Sequence, residues 1–274
     1  MFALEQESQN TARLYPGLPP GEALRVKVPE VWVRAEPRRG AAVWSQYTYG
    51  EALRLLERRG PWSHCQSQRD GYCGWVPTSA LGPAGAPASH ETLVPTLVLS
   101  RPDLKSTPLA TLPPEAMVAL ETKRFGYGRV AGLGWVDERN LAPLAVWQDI
   151  VATATAQLGR PYVWGGRGLA GLDCSALAQY CYRRAGRLLP RDSDLQRLYL
   201  AKFHAPVALD ELAAGDLIFL PGHVMVAINN EEVIHASARP LRVVREALRV
   251  VLARQPDAVP VAYRWLNPGE KDAS

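Results

Sequence analysis

Three textures follow one another along the chain. From Ala23, apolar and polar residues alternate in short runs: Leu24 to Val28, Val31 to Arg34, Trp62 to Gln66 and Gly71 to Pro77. A period of two with Gly and Pro between the runs predicts half-buried strands. Glu51 to Glu57 suits either a strand or a short helix. After a linker over 82–91, rich in Gly, Pro and Ala, a second strand set is expected at 96–99, 117–121, 127–130 and 134–136. Gly134-Trp135-Val136 echoes Gly74-Trp75-Val76. From Gln148 the period lengthens. Ile150, Ala154 and Leu158 fall four apart, and Gly159 ends that helix. Leu177, Cys181 and Ala185 form a second stripe, begun by Asp173 as N-cap and stopped at Gly186. A third helix is expected from Asp194 to about Ala201. Strands return at 217–220, 223–228, 232–236, 240–245 and 259–265, with turns at Pro221-Gly222 and Asn229-Asn230. Helices first and an antiparallel meander afterwards make an α+β domain. Residues 1–22, polar and rich in Pro and Gly, read as a lead-in without structure of its own.

Composition narrows the class. An apolar fraction of 47% with 21% charged residues describes an ordinary globular chain. The net charge of +4 is dispersed, so no nucleic-acid partner is expected. The longest apolar run, Leu217 to Ile228, is interrupted by Pro221, Gly222 and His223, and no membrane partner is expected. The first residues lack a basic and then apolar leader, and four cysteines form no disulfide framework. A cytoplasmic protein is therefore expected.

Cys174 follows the loop Tyr162-Val163-Trp164-Gly165-Gly166-Arg167-Gly168 and opens the second helix. Backbone N–H groups and the positive end of the helix favour a thiolate there. A nucleophile needs a base, and the base an orienter. The turn at Asn229-Asn230 places His223 near His235 on neighbouring antiparallel strands. His204, in a polar segment, fits no such role. Cys/His/His also suits zinc, but no CxxC or HxxxH spacing accompanies it, so no metal is expected.

Two resemblances gather these residues. The runs "VWVRAEP" and "GPWSHCQSQRDGYCGWVPTSAL" resemble a bacterial SH3 (SH3b) domain over 23–82, and the Gly-Trp-Val echo suggests a second, shorter one over 92–145. "GRPYVWGG", "GLDCSALAQYCY", "LPRDSDLQ", "AAGDLIFL", "HVMVAI" and "VIHAS" resemble, in order and spacing, the NlpC/P60 family of papain-like cysteine peptidases over 147–267. The resemblance implies an α+β papain-like domain behind two small all-β barrels. It implies Cys174 as nucleophile, His223 as base, His235 as its orienter and Tyr162 as an aid to the oxyanion, without a cofactor. The implied substrate is the γ-D-Glu–diamino acid bond of free peptidoglycan stem peptides with N-terminal L-Ala, cleaved in murein peptide recycling by a monomer.

A free-amine substrate asks for a short pocket that holds an ammonium. Asp173, Ser175, Trp164, Asp192 and Ser193 match the family's pocket positions, Tyr72 of the SH3b motif is the expected lid, and Glu36 is a weaker candidate. Two departures stand out: Ala176 replaces a common glycine, and only Leu220-Pro221-Gly222 precedes His223. Two other readings are kept. One is a wall-directed murein hydrolase or amidase on the same fold. The other is a non-catalytic SH3b wall-binding protein.

Overall fold

The computed structural model describes Arg13 and residues 21–144 and 148–265. Most of the expected lead-in over 1–22, the boundary at Trp147 and the last residues of the C-terminal domain lie outside the described residues. Two compact units emerge: residues up to 144 together with 164–170, and residues 148–163 with 171–265.

In the first unit, β1 (Ala23–Val26), β2 (Glu30–Arg34), β3 (Val43–Thr48), β4 (Ala52–Arg59), β5 (Trp62–Ser67), β6 (Cys73–Pro77) and β7 (Leu81–Pro83) form one sheet in the order β3-β2-β6-β5-β4-β1-β7. The ambiguous run at 51–57 is strand, because Leu53 and Leu55 pair with Ser67 and Cys65 and bury against the same core as Val33 and Val76. The linker is shorter than expected. β7 takes its first residues, and β8 (His90–Thr92) its last.

The second block begins with β8 and adds β9 (Thr96–Leu99), β10 (Pro108–Leu112), β11 (Met117–Val118), β12 (Leu120–Arg124), β13 (Tyr127–Val130), β14 (Gly134–Asp137) and β15 (Leu141–Pro143), in a five-stranded and a three-stranded sheet. The Gly-Trp-Val echo has a structural counterpart. β6 and β14 each run through one 3-10 turn, Thr78–Ala80 or Glu138–Asn140, into a strand that pairs with the first strand of its block. The strand content matches the two-barrel expectation, but each hydrogen-bonded sheet order has two ends and none closes on itself.

Part of the glycine-rich stretch belongs to this first unit. The Arg167 N–H, in β16 (Arg167–Gly168), donates to Gln46 Oε1 at 2.8 Å, and the Leu169 N–H donates to Glu30 Oε2 at 2.7 Å. The buried Arg167 guanidinium lies 3.6 Å from Glu51 and 3.7 Å from Asp70. Burial alone would raise the Glu51 carboxyl; Arg167 and Arg69, with donors from Ser67 and Thr48, hold it below its ordinary value. Gly168 has a steric reason, since a Cβ there would stand 1.9 Å from the Glu30 carboxylate.

The second unit starts with α1 (Ile150–Thr155), capped by Asp149, and the short β17 (Gly171–Leu172). Next come α2 (Cys174–Arg184), α3 (Ser193–Phe203), β18 (Pro206–Val207), β19 (Leu217–Leu220), β20 (His223–Ala227), β21 (Glu232–Ser237), β22 (Arg242–Ala247), α4 (Leu248–Leu252) and β23 (Val261–Tyr263). The sheet is antiparallel, in the order β18-β23-β19-β20-β21-β22. Alternate residues feed two cores. Phe219, Val224, Val226 and Ile234 pack with Leu177 and Cys181 of α2. Ile218, Met225 and Val233 pack with Leu248 and Val251 of α4. Pro221-Gly222 makes a two-residue hairpin with Leu220 opposite His223, and Gly222 takes the positive φ, +71°, of the third residue of a type II turn.

Candidate active site

α2 presents Cys174 in its first turn. Asp173 caps the helix by accepting from the Ala176 N–H at 2.8 Å. Its carboxylate does more than cap. Arg191, fully buried, donates to Asp173 Oδ1 and Oδ2 at 3.0 and 2.8 Å and to Ser175 Oγ at 2.9 Å. Ser175 Oγ donates in turn to Asp173 Oδ1 at 3.1 Å. Gln196 of α3 donates to the carbonyls of Ser175 and Pro190, both at 2.9 Å, which ties this helix start to α3. Asp192 is the residue before α3 and Ser193 its first; both are partly buried.

β20 and β21 bring the histidines together, though not in the register expected from the turn. Val226 pairs with Ile234 and Ala227 with Val233, so Met225 rather than His223 continues opposite His235. The offset is two residues, which preserves the face, and a diagonal neighbour remains within reach of an aromatic ring. His223 Nε2 lies 2.7 Å from His235 Nδ1, and His235 Nε2 lies 2.9 Å from Glu246 Oε2 on β22. Arg254, beyond α4, grips both oxygens of Glu246. Cys174 packs in the same core cluster as Val224, the residue after His223, and the backbone N–H groups of Val224 and Ser175 favour its thiolate.

The electrostatics correct one expectation. Cys174 was expected to favour a thiolate, yet its thiol is pushed up to about 12. Burial is the largest cause and the Asp173 charge adds to it; the two backbone donors and Arg191 only partly offset them. His223 is pushed down to about 4 by burial and by the charge of His235. His235 is also lowered by burial, against the opposing pull of Glu246. Tyr162, packed against the core cluster that holds Cys174, is raised to about 12 by burial and by the charges of Cys174 and Asp173. The resting pair at neutral pH is therefore thiol and neutral imidazole, and the proton has to move as the sulfur attacks.

The lowered His223 value predicts how stability varies with pH. The folded value lies below the ordinary 6.5, so between about 4 and 6.5 the unfolded chain binds more protons than the folded one. The stabilisation is complete above about 6.5 and is lost as pH falls through about 4. Urea unfolding is expected to lose about 3 kcal/mol between pH 7 and pH 4 from this residue. A flatter dependence in His223→Gln checks the assignment. An identical slope in that variant rejects it.

Residues 159–253 match the NlpC/P60 family, and residues 33–81 match the bacterial dipeptidyl-peptidase Sh3 domain. The chain carries an NlpC/P60 domain preceded by a bacterial SH3 domain. A solved NlpC/P60 family protein from Bacillus cereus superposes with a TM-score of 0.73 over 89% of this chain and 100% of that one, at 19% identity. Dipeptidyl-peptidase 6 of Lysinibacillus sphaericus is 30% identical over 157 residues, 51% of this chain and 57% of that protein. The gamma-D-glutamyl-L-lysine dipeptidyl-peptidase of Bacillus subtilis is 29% identical over 192 residues, 65% of this chain and 64% of that protein. The chain thus spans between half and two thirds of the length of these relatives.

Within the NlpC/P60 unit the structure gathers Cys174, Asp173, Ser175 and Tyr162 in one cluster, and His223 and His235 in the row that meets it. Trp164, Tyr72 and Glu36 belong to the first unit. Trp164 is exposed, Tyr72 is buried with the first block's core, and Glu36 pairs with Arg38 at the surface. Glu246 and Arg254 were not anticipated from the sequence. A parity signal existed for Glu246: it lies two residues along β22 from Val244, the partner of His235, and so on the same face. Among the described residues no group of three or more His, Cys, Asp and Glu is arranged to hold a metal ion. No helix among them is long and apolar enough to cross a membrane.

Proposed function

We propose that this protein is a cysteine peptidase that cleaves the γ-D-Glu–diamino acid bond of free stem peptides carrying N-terminal L-Ala. The observation that carries the reading is the polar row His223–His235–Glu246, with Val224, the residue after His223, packed in the same core cluster as Cys174. Cys174 transfers its proton to His223 as its sulfur bonds to the γ-carbonyl carbon of D-Glu. The Cys174 N–H, in the first turn of α2, donates to the oxyanion, and Tyr162 assists. The C–N bond then breaks, and the proton on His223 leaves with the amine. Water next adds to the thioester as His223 takes one of its protons, and the C–S bond breaks to return the thiol. Asp173 and Ser175, fixed by Arg191, are the proposed wall for the substrate ammonium, with Asp192 and Ser193 beyond it.

The likeness to the gamma-D-glutamyl-L-lysine dipeptidyl-peptidase of Bacillus subtilis supports this bond type. A recycling role would place the reaction in the cytoplasm. The test offers the purified protein two substrates in parallel: free L-Ala-γ-D-Glu-diamino acid peptide and intact sacculus, followed by mass spectrometry. Release of L-Ala-D-Glu from the free peptide at a rate at least about 10²-fold above release from sacculus is expected, on the scale of a site that reads a buried polar group. Preference for sacculus would transfer the reading to a wall-directed hydrolase.

A further inference from the structure

Neither the thiol nor its imidazole accounts for Glu246 and Arg254. Arg254 binds Glu246 through both carboxylate oxygens, and Glu246 Oε2 also lies 2.9 Å from His235 Nε2. His235 is almost wholly buried, at 2% exposure, so solvent is not an alternative partner for its ring. We propose that Glu246 is a positioning residue that sets the tautomer of both histidines, and so decides which nitrogen of His223 can take the proton of Cys174.

The argument is one of donors and acceptors. A carboxylate only accepts, so the nitrogen that faces it must carry a hydrogen. That nitrogen is Nε2 of His235. A neutral imidazole carries one N–H, so His235 Nδ1 is then an acceptor. His223 Nε2, 2.7 Å away, must therefore be the donor. This leaves Nδ1 of His223 with its lone pair open, the state a general base requires. The opposite tautomer would set the lone pair of His235 against a carboxylate. The bidentate Arg254 keeps that carboxylate ionised: Glu246 is held down to about 2, chiefly by its hydrogen bonds from Arg254. Burial of both rings keeps them neutral, so each has one proton to place.

The inference rests on reading Cys174 and His223 as the working pair, and its test uses no peptide substrate. In the full-length protein labelled with nitrogen-15, long-range proton–nitrogen spectra at pH 7 report the tautomer of each imidazole, with His→Gln variants assigning the signals. Both His223 and His235 are expected as the Nε2–H form. Glu246→Leu is expected to mix the tautomers and to slow alkylation of Cys174 by iodoacetamide about 10²-fold, the lower end of what a positioned base contributes. Glu246→Gln keeps an acceptor oxygen in place and is expected to restore the tautomers and most of the rate. A wild-type spectrum with either ring as Nδ1–H overturns the proposal. Unchanged spectra and alkylation in Glu246→Leu do the same. If Glu246→Leu does not fold, the wild-type spectrum decides alone. Correct tautomers without stem-peptide cleavage would remove the peptidase reading and leave this inference standing.

Discussion

Cys174→Ala is expected to reduce hydrolysis of the free stem peptide by at least about 10⁴-fold while peptide binding persists. No neighbour can take over the attack. Ser175, the adjacent hydroxyl, donates to Asp173 and accepts from Arg191, so both its hydrogen and its oxygen are engaged. The Tyr162 phenol is held up at about 12 and attacks poorly at neutral pH. The substitution removes one sulfur from a buried position and should cost little stability, about 1 kcal/mol. Product release by mass spectrometry and binding by calorimetry separate the two effects. Turnover close to wild type would end the assignment of Cys174 as nucleophile, whatever the stability of the variant.

Arg191→Leu is expected to be the most damaging single change to the C-terminal unit, at about 3–5 kcal/mol. Arg191 has no solvent exposure and makes two bonds to Asp173 and one to Ser175. Leucine fills much of the same space but leaves the Asp173 carboxylate, 7% exposed, without its counter-charge. Arg191→Lys should also be poorly tolerated, because a single ammonium cannot reproduce the forked contact. The double variant Asp173→Asn with Arg191→Leu is expected to recover part of the loss, since no buried charge is then left unpaired. Urea unfolding of the four proteins closes this cycle. A loss below about 1 kcal/mol in Arg191→Leu would mean that the pair behaves as a solvated one. Because the same guanidinium holds the start of α2, loss of thiol reactivity should accompany the loss of stability.

The double role of Asp173 shows where reading from sequence stops. Its place before a helical stripe is enough to name it an N-cap, and the Ala176 N–H indeed binds it. Its partner Arg191 is 18 residues away, and the sequence offered no reason to prefer it over a substrate carboxylate as the ligand of that cation. The histidine pair was legible through strand parity, which a two-residue error in register leaves intact. Glu246 shares that parity, but its importance depends on Arg254, which follows α4 and has no periodic relation to the strands. Arg167 stands in the motif that leads to the nucleophile, yet it pairs with Glu51 and Asp70, more than ninety residues earlier in the chain.

The sequence by itself determined the elements and their chemistry: strands of period two, a helix from about Gln148 and another started by Asp173, a Pro-Gly hairpin before His223, and a cysteine and two histidines on elements that can meet. These are local properties, set by caps, turns and side-chain alternation within a few residues. Only the tertiary structure decided the charge state of the site. A helix start favours a thiolate, but desolvation of Cys174 and the nearby Asp173 carboxylate outweigh it and hold the thiol neutral. Burial and long-range ion pairs are made by residues far apart in the chain, so no short window of sequence contains them.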